Sequence, residues 1–76
     1  MHEQKKKLMI ELLQSLHSDP TKQKKISYDE LHQHDVLKDA IDFMKKKHLI
    51  TVEETEQAII ITIDIDGEAY LAINVF

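Results

Sequence analysis

There is no cysteine in this sequence, no tryptophan and no arginine, and glycine and proline occur once each. Without cysteine there is no disulfide and no thiolate metal site, and the absence fits a reducing compartment. A scarcity of glycine and proline argues against a disordered or loop-rich chain. The missing arginine removes the commonest specific contact to guanine in a DNA groove. No run is long and apolar enough to span a membrane, so no membrane association is expected. The lysine-bearing start, Met1 to Lys7, leads into a short apolar stretch interrupted by Glu11 and Gln14. A signal peptide has a longer apolar core and a small-residue cleavage site. The expected location is therefore cytoplasmic.

What the chain does hold is 42% hydrophobic residues in a length of 76, enough for one core and one domain, residues 1–76. A chain this short buries only about 60–65% of the surface its unfolded form exposes, so its stability margin is thin. The net charge of −4 conceals an asymmetry. Residues 1–50 carry all ten lysines and a net +2, whereas residues 51–76 carry six acids, no base and a net −6.

Residues 3–17 have the spacing of a helix. Leu8, Leu12 and Leu16 recur at i, i+4 and i+8, with Met9 and Leu13 beside them. Ile10 widens the apolar arc to roughly half the circumference. An arc that broad suits either a central helix touching two neighbours or a helix that also makes a dimer contact. Asp19-Pro20 ends the helix, because the residue before proline is pushed out of the α region. Thr21 to Lys25 is polar and lysine-rich and is expected as loop.

Ser27-Tyr28-Asp29-Glu30 is a capping box, in which the Ser27 hydroxyl accepts from the Glu30 N–H. Ile26 and Leu31 are placed for the matching hydrophobic staple. A short second helix is expected over 28–33. A third is expected from Asp35, a good N-cap, with Leu37, Ala40, Ile41, Met44 and His48 on one stripe, flanked by Val36 and Phe43. Lys45-Lys46-Lys47 occupy its last turn, where cations suit the helix dipole. Leu49-Ile50 then lead into an extended segment at Thr51-Val52.

The last third has the pattern of an antiparallel hairpin. Ala58–Ile65 is β-branched and apolar, Ala69–Phe76 alternates, and Asp66-Gly67 lies between them. A three-residue turn, Ile65-Asp66-Gly67, would pair Ile63 with Ala69, Ile61 with Leu71 and Ile59 with Ile73 on one face. The opposite face would carry Ile60 and Tyr70.

Three helices, the second short and tightly joined to the third, and then a hairpin resemble the winged helix-turn-helix superfamily, in particular small winged-helix proteins of bacteria and their phages. The residues that carry the resemblance are ISYDELHQ (26–33), VLKDAIDFMKKKHLI (36–50) and the hairpin, and it covers roughly residues 5–76. The fold it implies is α+β, a three-helix domain with a C-terminal antiparallel hairpin as the wing. In that superfamily the third helix usually enters the DNA major groove and the wing touches the backbone. Here the outward positions of the third helix are Asp35, Asp39, Asp42 and Lys46, and the expected wing tip bears Asp64, Asp66 and Glu68. Such acids would meet phosphate with like charge.

Two functional readings follow. One is a non-enzymatic protein-interaction or regulatory module whose partner is another protein or a second copy, with Ile60, Tyr70 and Phe76 as candidate interface residues. The other is a DNA-binding regulator using Lys5, Lys6 and Lys7, Lys22, Lys24 and Lys25, and Lys45, Lys46 and Lys47. Catalysis and cofactors are not expected. The pair His32-x-His34 has i, i+2 spacing, which does not place two ligands on one helix face. Asp64 and Glu68 are expected at an exposed hairpin tip, where nothing excludes water as acid–base catalysis requires.

Overall fold

The structure, a computed structural model, describes residues 3–74. Among them the chain forms α1 (Glu3–Ser18), β1 (Gln23–Ser27), α2 (Tyr28–Gln33), α3 (Asp35–Lys46), β2 (Ile50–Glu54), β3 (Ala58–Ile63) and α4 (Ile65–Asn74). This is an α+β architecture in which one three-stranded antiparallel sheet, ordered β1-β3-β2, is covered on one face by helices. No helix among the described residues is long and apolar enough to cross a membrane.

Alternation along β3 sets the layers. Ile59, Ile61 and Ile63 are buried, while Ile60 and Thr62 between them are only partly covered. The register places Ile26 of β1 opposite Ile59 and Ile50 of β2 opposite Ile63, so the inner face is continuous across all three strands. Met9, Leu12, Leu13 and Leu16 of α1 and Leu37, Ala40, Ile41 and Met44 of α3 complete the core against it. The broad arc of α1 is accounted for by its neighbours, since α1 packs on α3, α4 and β3 at once.

The start of α2 follows its local chemistry. The Ser27 hydroxyl accepts from the Glu30 N–H at 3.2 Å, and Ile26 and Leu31 are both buried beside it. The start of α3 differs from expectation by one residue. Its N-cap is His34, whose ring Nδ1 accepts from the Leu37 N–H at 3.1 Å, so Asp35 is the first helical residue. The end of α3 corrects a second expectation. His48 does not lie on the buried stripe: it is exposed, with φ at +62°. The His48 N–H donates to the Lys45 carbonyl at 3.1 Å and the Leu49 N–H to the Met44 carbonyl at 2.9 Å, the bond pair of a Schellman motif. A left-handed residue is required there, and a side chain in that conformation is strained. His48→Gly is expected to raise stability by about 0.5–1 kcal/mol, the relief of that strain less the entropy glycine adds to the unfolded chain. Chemical denaturation checks it, and a loss of stability would contradict the account of this cap.

Two larger corrections concern strands. Gln23–Ser27 is an edge strand and not loop, although only Ile26 in it is buried. Its exposed lysines are the usual protection of an open sheet edge. The expected C-terminal hairpin is not formed. The hairpin of this fold lies upstream, β2 with β3 around Thr55-Glu56-Gln57, and residues 65–74 are a helix. The physical reason is saturation: β3 is the central strand, paired on one side by β1 and on the other by β2, so no edge is left for Ala69–Asn74. Thr55 closes the actual turn, its N–H and hydroxyl both donating to the Ala58 carbonyl at 2.9 and 2.7 Å. Tyr28 pins the turn to α2 through its hydroxyl, which donates to the Thr55 carbonyl at 2.6 Å.

Helix α4 starts from Asp64, whose carboxylate accepts from the Ile65 N–H at 2.7 Å and whose carbonyl accepts from the Glu68 N–H at 3.1 Å. Asp66 and Glu68 stand in the first turn, where acids complement the positive end of the dipole. Gly67 has no positive φ and makes no turn. It is buried where α4 meets the Leu49 carbonyl, which also accepts from the Asp64 N–H at 3.0 Å.

Candidate functional site

Of the residues named from the sequence as interface candidates, Ile60 and Tyr70 stand on different elements. Ile60 is on the outer face of β3, between Lys25 on β1 and Glu53 on β2. Tyr70 is on α4, half-buried against the core cluster. Phe76 lies outside the described residues.

The three lysine groups part in a different way. Lys5 of α1 and Lys47 after α3 meet over one ring, their ammonium groups 5.0 and 5.8 Å from the centroid of Phe43. That is within the range at which the face of an aromatic ring attracts a cation. Lys22 lies beyond the other end of α1, beside His17, which is about 18 Å from Lys5 along the helix axis at 1.5 Å per residue. There its ammonium donates to the His17 carbonyl at 2.6 Å and lies 3.5 Å from Glu68 Oε1. Lys24 and Lys25 are exposed on the β1 edge, and Lys45 and Lys46 are exposed in the last turn of α3.

At that end of α1, His17 Nδ1 also lies 3.2 Å from Glu68 Oε1, so His17, Lys22 and Glu68 tie the helix end to α4. The hydrogen bond from His17 holds the Glu68 carboxyl below its ordinary 4.5. The nearby Lys22 charge adds to the effect, and partial desolvation opposes it. The Thr21 hydroxyl, and then the Thr21 N–H, similarly hold Asp19 below its usual range. A carboxyl with a lowered folded-state pKa contributes stability that is complete above the unfolded value and is lost as pH falls through the folded one. The melting temperature is therefore expected to drop as the solution is taken from about pH 6 to below the ordinary carboxylate range, and Glu68→Gln should drop less. Equal drops in both proteins would remove Glu68 from the account.

The exposed surface of α3 is mixed in charge. Asp35, Asp39 and Asp42 are exposed, and so are Lys38, Lys45 and Lys46, with Asp42 facing Lys38 at 3.9 Å across one turn. The hairpin occupies different residues from those expected but keeps the sign, since Glu53, Glu54 and Glu56 are exposed at and beside its turn with no base among them. Asp64, Asp66 and Glu68 lie outside the hairpin and serve the start of α4. No group of three or more His, Asp or Glu among the described residues is placed to hold a metal ion.

The feature that sequence reasoning missed is the outer face of α4. Ile65 and Ile73 are 80% and 84% exposed, the large apolar side chains left most open among the described residues. Ala69 and Ala72 are exposed between them, whereas Gly67 and Leu71 on the opposite side are buried. Beside this stripe a shallow depression of about 470 Å³ is lined by Phe43, Leu49, Ala69, Tyr70 and Ile73, with Lys47 and Asp66 at its edge. The spacing Ile65, Ala69, Ile73 is i, i+4, i+8 and was visible in the sequence, but the competing alternation of 69–76 concealed it. Comparison with family models, with curated proteins and with solved structures finds no match to this chain.

Proposed function

We propose that this domain is a non-enzymatic protein-interaction module on a winged-helix-like frame, docking its partner through the outer face of α4. The observation that carries the reading is the pair Ile65 and Ile73, more than three-quarters exposed on a helix whose other side is buried. Apolar side chains grouped on one face in this way mark interaction surfaces more often than scattered ones do. The frame is supported by a short α2 joined to α3 through the single residue His34 and followed by the β2–β3 hairpin. In a winged helix these would be the helix-turn-helix pair and the wing.

The sign of the charge argues against the nucleic-acid role that such a frame suggests. Phosphate binding is driven by neutralising cations, and the hairpin presents Glu53, Glu54 and Glu56 with no base, while the third helix sets three exposed aspartates against its three exposed lysines. One observation favours DNA as a second reading: Lys5 and Lys47 converge at Phe43. Two experiments separate the readings. The tagged chain, used as bait, should retain a protein, a second copy included, that the Ile65→Asp/Ile73→Asp variant loses. Equal retention by both would contradict docking through α4. Duplex DNA at ~50 mM salt should show no retardation; a retarded band that weakens steeply as salt rises would put the DNA reading in its place.

A further inference from the structure

We infer that the open edge of β1 is a strand-addition site for an extended acidic segment of another protein, one that sets two consecutive carboxylate residues against Lys24 and Lys25. The phase of the ladder shows what this edge offers. The Ile63 N–H donates to the Lys22 carbonyl at 3.2 Å, so in the observed register Lys22, Lys24 and Ile26 exchange their bonds with β3. Gln23, Lys25 and Ser27 alternate with them and turn their backbone groups the other way. The Gln23 N–H donates to the Thr21 hydroxyl at 3.3 Å, and Ser27 is the N-cap of α2, so its carbonyl takes the first helical bond. The Gln23 carbonyl, the Lys25 N–H and carbonyl and the Ser27 N–H are left, and no strand pairs on that side among the described residues. A row of acceptor, donor, acceptor and donor matches the backbone of an extended peptide, and a nucleic-acid strand has no equivalent row.

Charge narrows the class of peptide. Lys24 and Lys25 are exposed, and neither forms an ion pair among the described residues. The residues opposite them on β3 are Ile61 and Ile60, so the neighbouring strand supplies no counter-charge. Lys22, by contrast, is already beside Glu68. Successive side chains of a strand point to opposite faces, so Lys24 stands on the helix-covered side with Ile26, and Lys25 on the bare side with Ile60. An added strand therefore meets one cation on each face, and two consecutive acids answer both. The same lysines repel a basic strand, so protection of the edge and selection of an acidic partner are one property. Asp29 and Glu30, exposed in the first turn of α2, disfavour further acids beyond Ser27.

Heteronuclear NMR of the intact chain, titrated with the capped peptide Thr-Val-Glu-Glu-Val-Thr to about 5 mM, tests it, a range set by a contact far below standard interface size. The Lys25 and Ser27 amides should move downfield, and the Lys25 amide should exchange with solvent several-fold more slowly. Of the two forms of the peptide N-methylated on alternate residues, equal in charge, one should bind at least about 10-fold more weakly because its bonding groups face β1. Equal binding by both would overturn strand addition. The peptide Thr-Val-Lys-Lys-Val-Thr should pass over the wild type and bind Lys24→Glu/Lys25→Glu, whose changes fall at exposed positions; no preference between the peptides would overturn the acidic partner. Unmoved β1 amides would overturn the site, and shifts raised instead by a thymidine oligonucleotide would give the lysines to nucleic acid. Glu53-Glu54 is itself a consecutive acidic pair on an extended strand, so a second copy is the remaining occupant. Sedimentation of the chain alone should show one chain; association abolished by Lys24→Glu/Lys25→Glu would place a second copy at the edge in place of another protein. None of these outcomes involves Ile65 or Ile73, so failure here leaves docking through α4 standing.

Discussion

Gly67→Ala should destabilise the domain by about 2–4 kcal/mol, against a total of roughly 4–11 kcal/mol for a chain of this size. Two effects of opposite sign compete at this position. Alanine is the better helix former by about 1 kcal/mol, so in an undocked helix the substitution would stabilise. In the folded domain, however, a Cβ on Gly67 would collide with the Leu49 carbonyl oxygen and come 2.9 Å from Ile63 Cγ1. The isoleucine can shift, but the carbonyl is main chain and already accepts from Asp64. Helix α4 would have to lift from the β2 entry, and the loss of packing outweighs the gain in propensity. The sign of the change in urea midpoint decides the matter: a stabilised variant would mean that α4 does not sit on Leu49.

Leu71→Ala should cost about 3–4 kcal/mol, while Ile73→Ala should change stability by less than about 0.5 kcal/mol. Leu71 is fully buried in the cluster with α1, and truncating it leaves a cavity in a core of seventeen apolar residues among the described ones. Ile73, two residues on, has little to lose from truncation. The contrast is informative because a strand over 69–74 in the register expected from the sequence would bury both side chains on one face. Comparable losses at the two positions would therefore support the strand and contradict the helix. The same contrast underlies the interaction reading, since Ile73 is free to meet a partner only if the fold does not already use it.

Much of this fold was legible where local chemistry and periodicity agree. The run of leucines in α1, the Ser27 cap with its Ile26–Leu31 staple and the stripe of α3 each point to one structure, and each formed within a residue or so of expectation. β3 was legible too, because Ile59, Ile61 and Ile63 alternate with partly covered neighbours. The failures share a cause. Which strand pairs with which is decided by the whole sheet, not by a local window. β1 has one buried residue, and its lysines look like loop because an open edge tolerates them. Residues 65–74 fit either a strand alternating about a glycine turn or a helix with an i, i+4 stripe. Their identity was settled only by β1 and β2 occupying both sides of β3. Gly67 misled for a related reason: a glycine that avoids a collision with a distant carbonyl looks the same in sequence as one that turns a chain. Acids lie at both places, at 53–56 beside the hairpin that forms and at 64–68 where one was expected. Ile60 and Tyr70 would share a face only if 69–74 were a strand; here they stand on different elements, β3 and α4.

The state of residues 65–74 in solution is the point on which the packing, the exposed stripe and the interaction reading all depend. Backbone NMR of the dilute chain reads it directly. The account predicts consecutive amide-to-amide cross-peaks from Ile65 to Asn74, with downfield Cα shifts throughout. Cross-strand Hα contacts between Ile61 and Leu71, with upfield Cα shifts over 69–74, would contradict it.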